Sequence, residues 1–135
     1  MILGVGLDLI EVSRVESAIR KQGAPFLERI GRPAEHKAAP AKSAASARRA
    51  EYWAARFAAK EAFAKALGTG IGATVPFRSV GVVKSASGKP ELEYSLELKR
   101  VLKRRGVTKA HLSLTHTAQY AAAMVVLEGK GTRGK

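Results

Sequence analysis

Glu51-Tyr52-Trp53-Ala54-Ala55-Arg56-Phe57-Ala58-Ala59-Lys60-Glu61-Ala62-Phe63-Ala64-Lys65-Ala66-Leu67-Gly68-Thr69-Gly70-Ile71-Gly72 organises this 135-residue chain. Residues 51–67 predict its strongest helix: alanine-rich, with no internal glycine or proline. Gly68 supplies the stop and opens a glycine-rich loop. On a helical projection Trp53, Phe57, Phe63 and Leu67 share one arc, and Arg56 and Lys60, four residues apart, fall inside it. Glu61 and Lys65, again four apart, sit beside that arc among Ala54, Ala58 and Ala62. An exposed Glu–Lys pair contributes only ~0.3–0.5 kcal/mol. Small neighbours around this one instead leave room for another backbone or a ligand.

Upstream, Ile2-Leu3-Gly4-Val5-Gly6-Leu7-Asp8-Leu9-Ile10 is almost continuously apolar, which predicts a strand over 2–12 buried on both faces. Asp8 is out of place there, because a buried carboxylate must be paired or bind a metal. Ser13 and Glu16 have capping-box spacing, predicting a helix that starts at Ser13 and ends at Gly23 and Pro25. Phe26 to Ile30 reads as a short helical turn. Residues 31–50 are rich in Ala, Pro, Lys and Arg. Glu35 is their one acid between Arg29 and Arg49, and this segment is expected to be mobile, although its alanine content allows a partly formed helix.

Downstream, 75–84 and 91–94 read as a hairpin around Ser87-Gly88-Lys89-Pro90. Residues 96–105 read as a basic amphipathic helix ended by Gly106. Residues 110–116 and 120–128 read as strands, and 129–135 as a flexible tail. Ser113 and Thr115 share a strand face, and His116 falls at the strand end, where loops carry function. A lone histidine there is more often structural, and no Ser–His–Asp order is evident.

The chain fits one domain, 1–128. It contains no cysteine, which excludes disulfides, thiolate chemistry and cysteine-held metals. No run approaches a membrane span, and the N-terminus lacks the basic start of a signal peptide, so a cytoplasmic location is expected. Twenty-four Lys and Arg against 11 Asp and Glu give a net charge of +13, which calls for a polyanionic partner. A basic nucleic-acid-binding module is one reading, and Lys99, Arg100, Lys103, Arg104 and Arg105 would serve it. Few aromatics interleave with those charges, however, and no helix-turn-helix or RNA-recognition signature is present.

Three separated blocks resemble one family: Gly4 to Val12 with Arg14; Trp53 to Gly72 with its Lys60-Glu61-x-x-x-Lys65 core and Gly68-Thr69-Gly70; and Ser113 to His116 through Tyr120 to Glu128. They resemble the holo-acyl-carrier-protein synthases, the small bacterial 4′-phosphopantetheinyl transferases, over nearly the whole chain. The resemblance implies an α+β fold with a long helix packed on a curved antiparallel sheet. It also implies a homotrimer with sites between protomers. The implied reaction is transfer of 4′-phosphopantetheine from coenzyme A to a serine of apo-acyl carrier protein, releasing 3′,5′-ADP, in fatty acid biosynthesis.

Further expectations rest on that resemblance. Asp8 and Glu61 are the metal ligands, and two carboxylates without His or Cys suit Mg²⁺, with Mn²⁺ as the alternative. Lys65 stabilises phosphate charge during in-line attack, and Glu61 or a metal-held water takes the proton. Arg56, Lys60, Lys65, Gly68, Thr69, Gly70 and His116 hold coenzyme A. Arg14 and Lys21 dock the acidic carrier protein, whose charge the +13 complements. A binding-only homologue would keep Arg14 but lose the carboxylates, and both carboxylates are present.

Overall fold

The computed structural model describes residues 1–130. In chain order it contains β1 (Ile2–Glu11), α1 (Val12–Gln22), α2 (Ala24–Ile30), α3 (Pro33–Ala38), α4 (Ser46–Leu67), a 3₁₀ turn (Phe77–Ser79), β2 (Val80–Lys84), β3 (Pro90–Tyr94), α5 (Leu96–Arg104), β4 (Val107–His116) and β5 (Tyr120–Gly129). The architecture is α+β. β1, β5 and β4 form an antiparallel sheet in that order, and β2 and β3 form the expected hairpin.

α4 lies across the inner face of the larger sheet. It is buried on most sides, through Trp53, Phe63, Leu67 and a run of fully buried alanines. Gly4 and Gly6 make this close approach possible. A Cβ on Gly6 would run into the Ala62 carbonyl oxygen, and one on Gly4 into that of Ala66. One core cluster joins Phe63 and Leu67 to Val80, Leu98, Leu112, Val125 and Leu127. A second gathers Val15, Phe26 and Ile30 around Trp53.

Several expectations are corrected. β1 is buried on one face only: Val5, Leu7 and Leu9 are 57–64 % exposed on the other. β1 is an edge strand of a sheet covered on one side, so an apolar run did not mean two buried faces. Ser13 is not a cap. α1 starts at Val12, directly after β1, and the Val12 N–H donates to the Gln119 carbonyl at 2.9 Å. That bond comes from the β4–β5 turn and satisfies one of the donors a side-chain cap would serve. β2 starts at Val80 and not Val75, because Pro76 leads into the 3₁₀ turn, where Ser79 Oγ donates to the Pro76 carbonyl at 2.6 Å.

Residues 31–50 are helical at both ends, as α3 and the first turn of α4. The partly formed helix that the alanine content allows is α3, whose Glu35 is fully buried. Of the expected tail, Gly129 closes β5 and Lys130 N–H donates to the Gly106 carbonyl. Residues 131–135 lie outside the described residues.

Candidate active site

Asp8 sits on the α4 side of β1, with its side chain 15 % exposed. Lys65, near the end of α4, donates to Asp8 Oδ1 at 3.1 Å and to the Leu7 carbonyl at 3.0 Å. Glu61 lies one turn earlier on α4. Burial raises its carboxyl pKa, the Asp8 charge raises it further, and Lys65 opposes both. Asp8, Glu61 and Lys65 therefore form one electrostatic group. The buried-looking carboxylate is paired, as physics requires, but by a lysine 52 % exposed and free to exchange partners. Two carboxylates whose charges repel are a cation site in chemical character. Among the described residues no third Asp, Glu, His or Cys joins them. That donor set suits a hard ion that keeps several waters and accepts ligand oxygens.

A second feature lies further towards the start of α4. A cavity of about 810 Å³ is lined by Arg48, Tyr52, Arg56, Lys84 and His116, with Ala38 to Ala41 on one wall. The Arg56 guanidinium carbon lies 3.8 Å above the Tyr52 ring centre. Arg56 Nε is buried without a hydrogen-bond partner. A buried donor of that kind is rare and costly unless a ligand completes it. Burial raises the Tyr52 hydroxyl pKa, with Arg56 opposing. His116 is exposed at the end of β4, so the structure brings Arg56 and His116 to one cavity. Asp8, Glu61 and Lys65 do not line it.

Gly68, Thr69 and Gly70 are placed differently from expectation. Their three N–H groups all turn back onto the Ala64 carbonyl, at 3.0, 3.1 and 3.2 Å. Gly68 and Gly70 have φ of +86° and +67°, which this reversal requires. These donors are already used, at the negative end of a helix dipole, so they offer an anion no free amide. Thr69 Oγ1 likewise donates to the Gly70 carbonyl. Arg14 and Lys21, two turns apart on α1, are both exposed on the same helix.

Comparison with known proteins decides the family. The family described as the 4′-phosphopantetheinyl transferase superfamily matches residues 4–125. The chain belongs to that superfamily. It is 42 % identical over 133 residues to the holo-[acyl-carrier-protein] synthase of Thiobacillus denitrificans, covering 98 % of each chain. The crystal structure of the Neisseria meningitidis holo-[acyl-carrier-protein] synthase superposes with a TM-score of 0.86 at 39 % identity, over 95 % of this chain and 99 % of that one. The Helicobacter pylori synthase in complex with coenzyme A gives 0.79 at 29 % identity, over 92 % and 99 %.

For this phosphopantetheinyl transferase superfamily chain, Lys60 departs furthest from the reading of its sequence. Its side chain is fully buried. Nζ donates to Glu35 Oε1 at 2.6 Å, the Val80 carbonyl at 2.6 Å and the Phe77 carbonyl at 3.2 Å. All three ammonium protons are thereby used, so Lys60 is corrected from a coenzyme A contact to one half of an internal ion pair. Burial lowers its pKa, and Glu35 opposes that shift. Glu35 and Tyr52 were missed as residues shaping the site. The available signal was a cation inside the apolar arc of α4 and a single acid in an otherwise basic segment.

Proposed function

We propose that the chain transfers 4′-phosphopantetheine from coenzyme A to a serine of an acidic apo-acyl carrier protein, releasing 3′,5′-ADP. The observation that carries this reading is near-full-length likeness to holo-[acyl-carrier-protein] synthases, one of them crystallised with coenzyme A. The clustering of Asp8, Glu61 and Lys65 supports it, because phosphoryl transfer is mostly positioning and charge stabilisation.

In the reaction the serine Oγ bonds to the phosphorus on the pantetheine side of the pyrophosphate. The bond from that phosphorus to the bridging oxygen breaks, and its electron pair leaves with 3′,5′-ADP. Asp8 and Glu61 would hold Mg²⁺, or Mn²⁺. The bound ion supplies Lewis-acid polarisation and offsets charge on the leaving group. Lys65 turns from Asp8 to a phosphate oxygen. Glu61, whose affinity for a proton is raised, or a water takes the serine proton. Arg56 and His116 hold the anionic nucleotide portion in the cavity, and Arg14 and Lys21 dock the carrier.

The working form is a homotrimer with sites shared between protomers. The exposed apolar face of Val5, Leu7, Leu9 and Met124 supports it, since single-chain folding leaves this surface bare. The separation of the Arg56 cavity from Asp8, Glu61 and Lys65 within one chain supports it as well. A cytoplasmic place in fatty acid biosynthesis follows from the substrates, and no described helix is long and apolar enough to cross a membrane.

The test is the intact mass of an apo-acyl carrier protein incubated with this chain, coenzyme A and Mg²⁺. A gain of one phosphopantetheine, lost with EDTA and with Asp8→Ala, is the expected result. No gain across several carriers overturns the reading.

A further inference from the structure

We propose that Tyr52 is a positioning residue for the ligand-binding arginine, fixed in place by the buried Lys60–Glu35 pair. The inference rests on coenzyme A as the occupant of the Arg56 cavity.

The argument starts at Glu35. Both its carboxylate oxygens are committed: Oε1 accepts from Lys60 Nζ at 2.6 Å and from the Arg32 N–H at 3.0 Å, and Oε2 accepts from the Val82 N–H at 2.9 Å. Lys60 and Glu35 are both completely buried. Gly81 lets this hub close, because a Cβ there would lie 2.9 Å from Arg32 Cδ and 3.1 Å from Glu35 Cδ. Glu35 is thus anchored to α4 and β2 at once, and its backbone carbonyl is a fixed point. Tyr52 donates its hydroxyl to that carbonyl at 2.6 Å. The ring then lies flat beneath the Arg56 guanidinium, 3.8 Å from centre to carbon.

An arginine has four side-chain torsions and loses much freedom when it binds an anion. Stacking on a ring that cannot turn removes part of that freedom in advance. Arg56 lines the cavity, where its guanidinium can meet a ligand's phosphate. An ion pair to a carboxylate would hold the arginine equally still, but it would compete with the anionic ligand. The ring holds the arginine without placing a negative charge against it. Tyr52 therefore acts on binding through Arg56.

A double-mutant cycle separates this from a general structural role. Coenzyme A binding is measured by calorimetry on the full chain, with kcat and KM for transfer on the same preparations. Tyr52→Phe keeps the ring and removes the anchor, so the Kd should rise about 3–10-fold, KM should follow it, and kcat should stay within about twofold. Tyr52→Leu removes the platform, with a rise of about 10–30-fold. In Tyr52→Leu/Arg56→Ala the Kd should be within about twofold of Arg56→Ala alone, since the platform has nothing left to hold. Independent, multiplicative losses in the double variant overturn the proposal, as does a Tyr52→Phe protein that binds like the parent. A parent chain that binds no coenzyme A overturns the functional reading itself, and the positioning role with it.

Discussion

Glu61 holds a proton to higher pH than an ordinary glutamate because burial and Asp8 both oppose its charge. A carboxyl raised in the folded state favours folding while it is protonated. That contribution is present below the ordinary glutamate pKa of 4.5 and is lost as pH rises through the raised value. Without metal, Glu61→Gln should therefore melt higher than the parent near neutral pH, and the difference should vanish in acid. Melting curves in EDTA across that range check the sign. Added Mg²⁺ should then raise the parent's melting temperature and leave the variant's unchanged. At Lys60 the balance is set by solvation. Lys60→Ala strands Glu35 without its cation and should cost about 3–5 kcal/mol in denaturant melts. Replacing both partners with methionine should not recover that loss, because the Val82 N–H and the Val80 carbonyl then lose their buried partners. A lysine inside an apolar arc is legible in a sequence. Its partner, 25 residues away, is not, because helical periodicity relates only neighbours on one element.

Elements were more legible than their contacts. α4, its Gly68 stop, the hairpin, α5 and the last two strands follow from periodicity and turn chemistry, since those signals are local. What failed was decided across the fold: the uncovered face of β1 and the α1 start capped by Gln119. Asp8, Glu61 and Lys65 stood out as oddities of their local sequence, and the structure brings them together. The turning-in of the Gly68 to Gly70 amides could not be foreseen, because glycine permits that geometry without specifying where its N–H points. The contact of β1 with α4 gives the sharpest element-scale prediction. Gly6→Ala places a methyl group against the Ala62 carbonyl, where backbone must give way on one side. Overpacking of side chains costs about 1–3 kcal/mol, and a backbone clash should exceed that. Asp8 lies two residues along the displaced strand on the same face. Gly6→Ala should therefore lose Mg²⁺ binding, measured by calorimetry, at temperatures where circular dichroism still reports a folded chain.

At the scale of the molecule, two features need a partner: a basic surface and a bare apolar sheet face. On the function proposed above, the acidic carrier would answer the first and further copies of the chain the second. Leu7 and Met124 are register partners on that face, 62 % and 45 % exposed. Met124→Asp should shift the sedimentation mass from three times 14.4 kDa towards a single chain, and transfer should fall with it. Loss of activity alone does not say which protomer supplies which residue, but mixed assemblies do. Asp8→Ala and Arg56→Ala chains are each expected to be nearly inactive alone. When they are co-expressed in equal amounts, a site drawing its carboxylates from one protomer and its arginine from the next is intact wherever the two neighbours carry the complementary lesions. Random assembly makes about one site in four of that kind, so about a quarter of parental transfer should return. If Asp8 and Arg56 serve the same site from a single protomer, every site carries one lesion or the other and no activity returns. The single-chain geometry favours the first outcome, because Arg56 lines a cavity that neither Asp8 nor Glu61 lines.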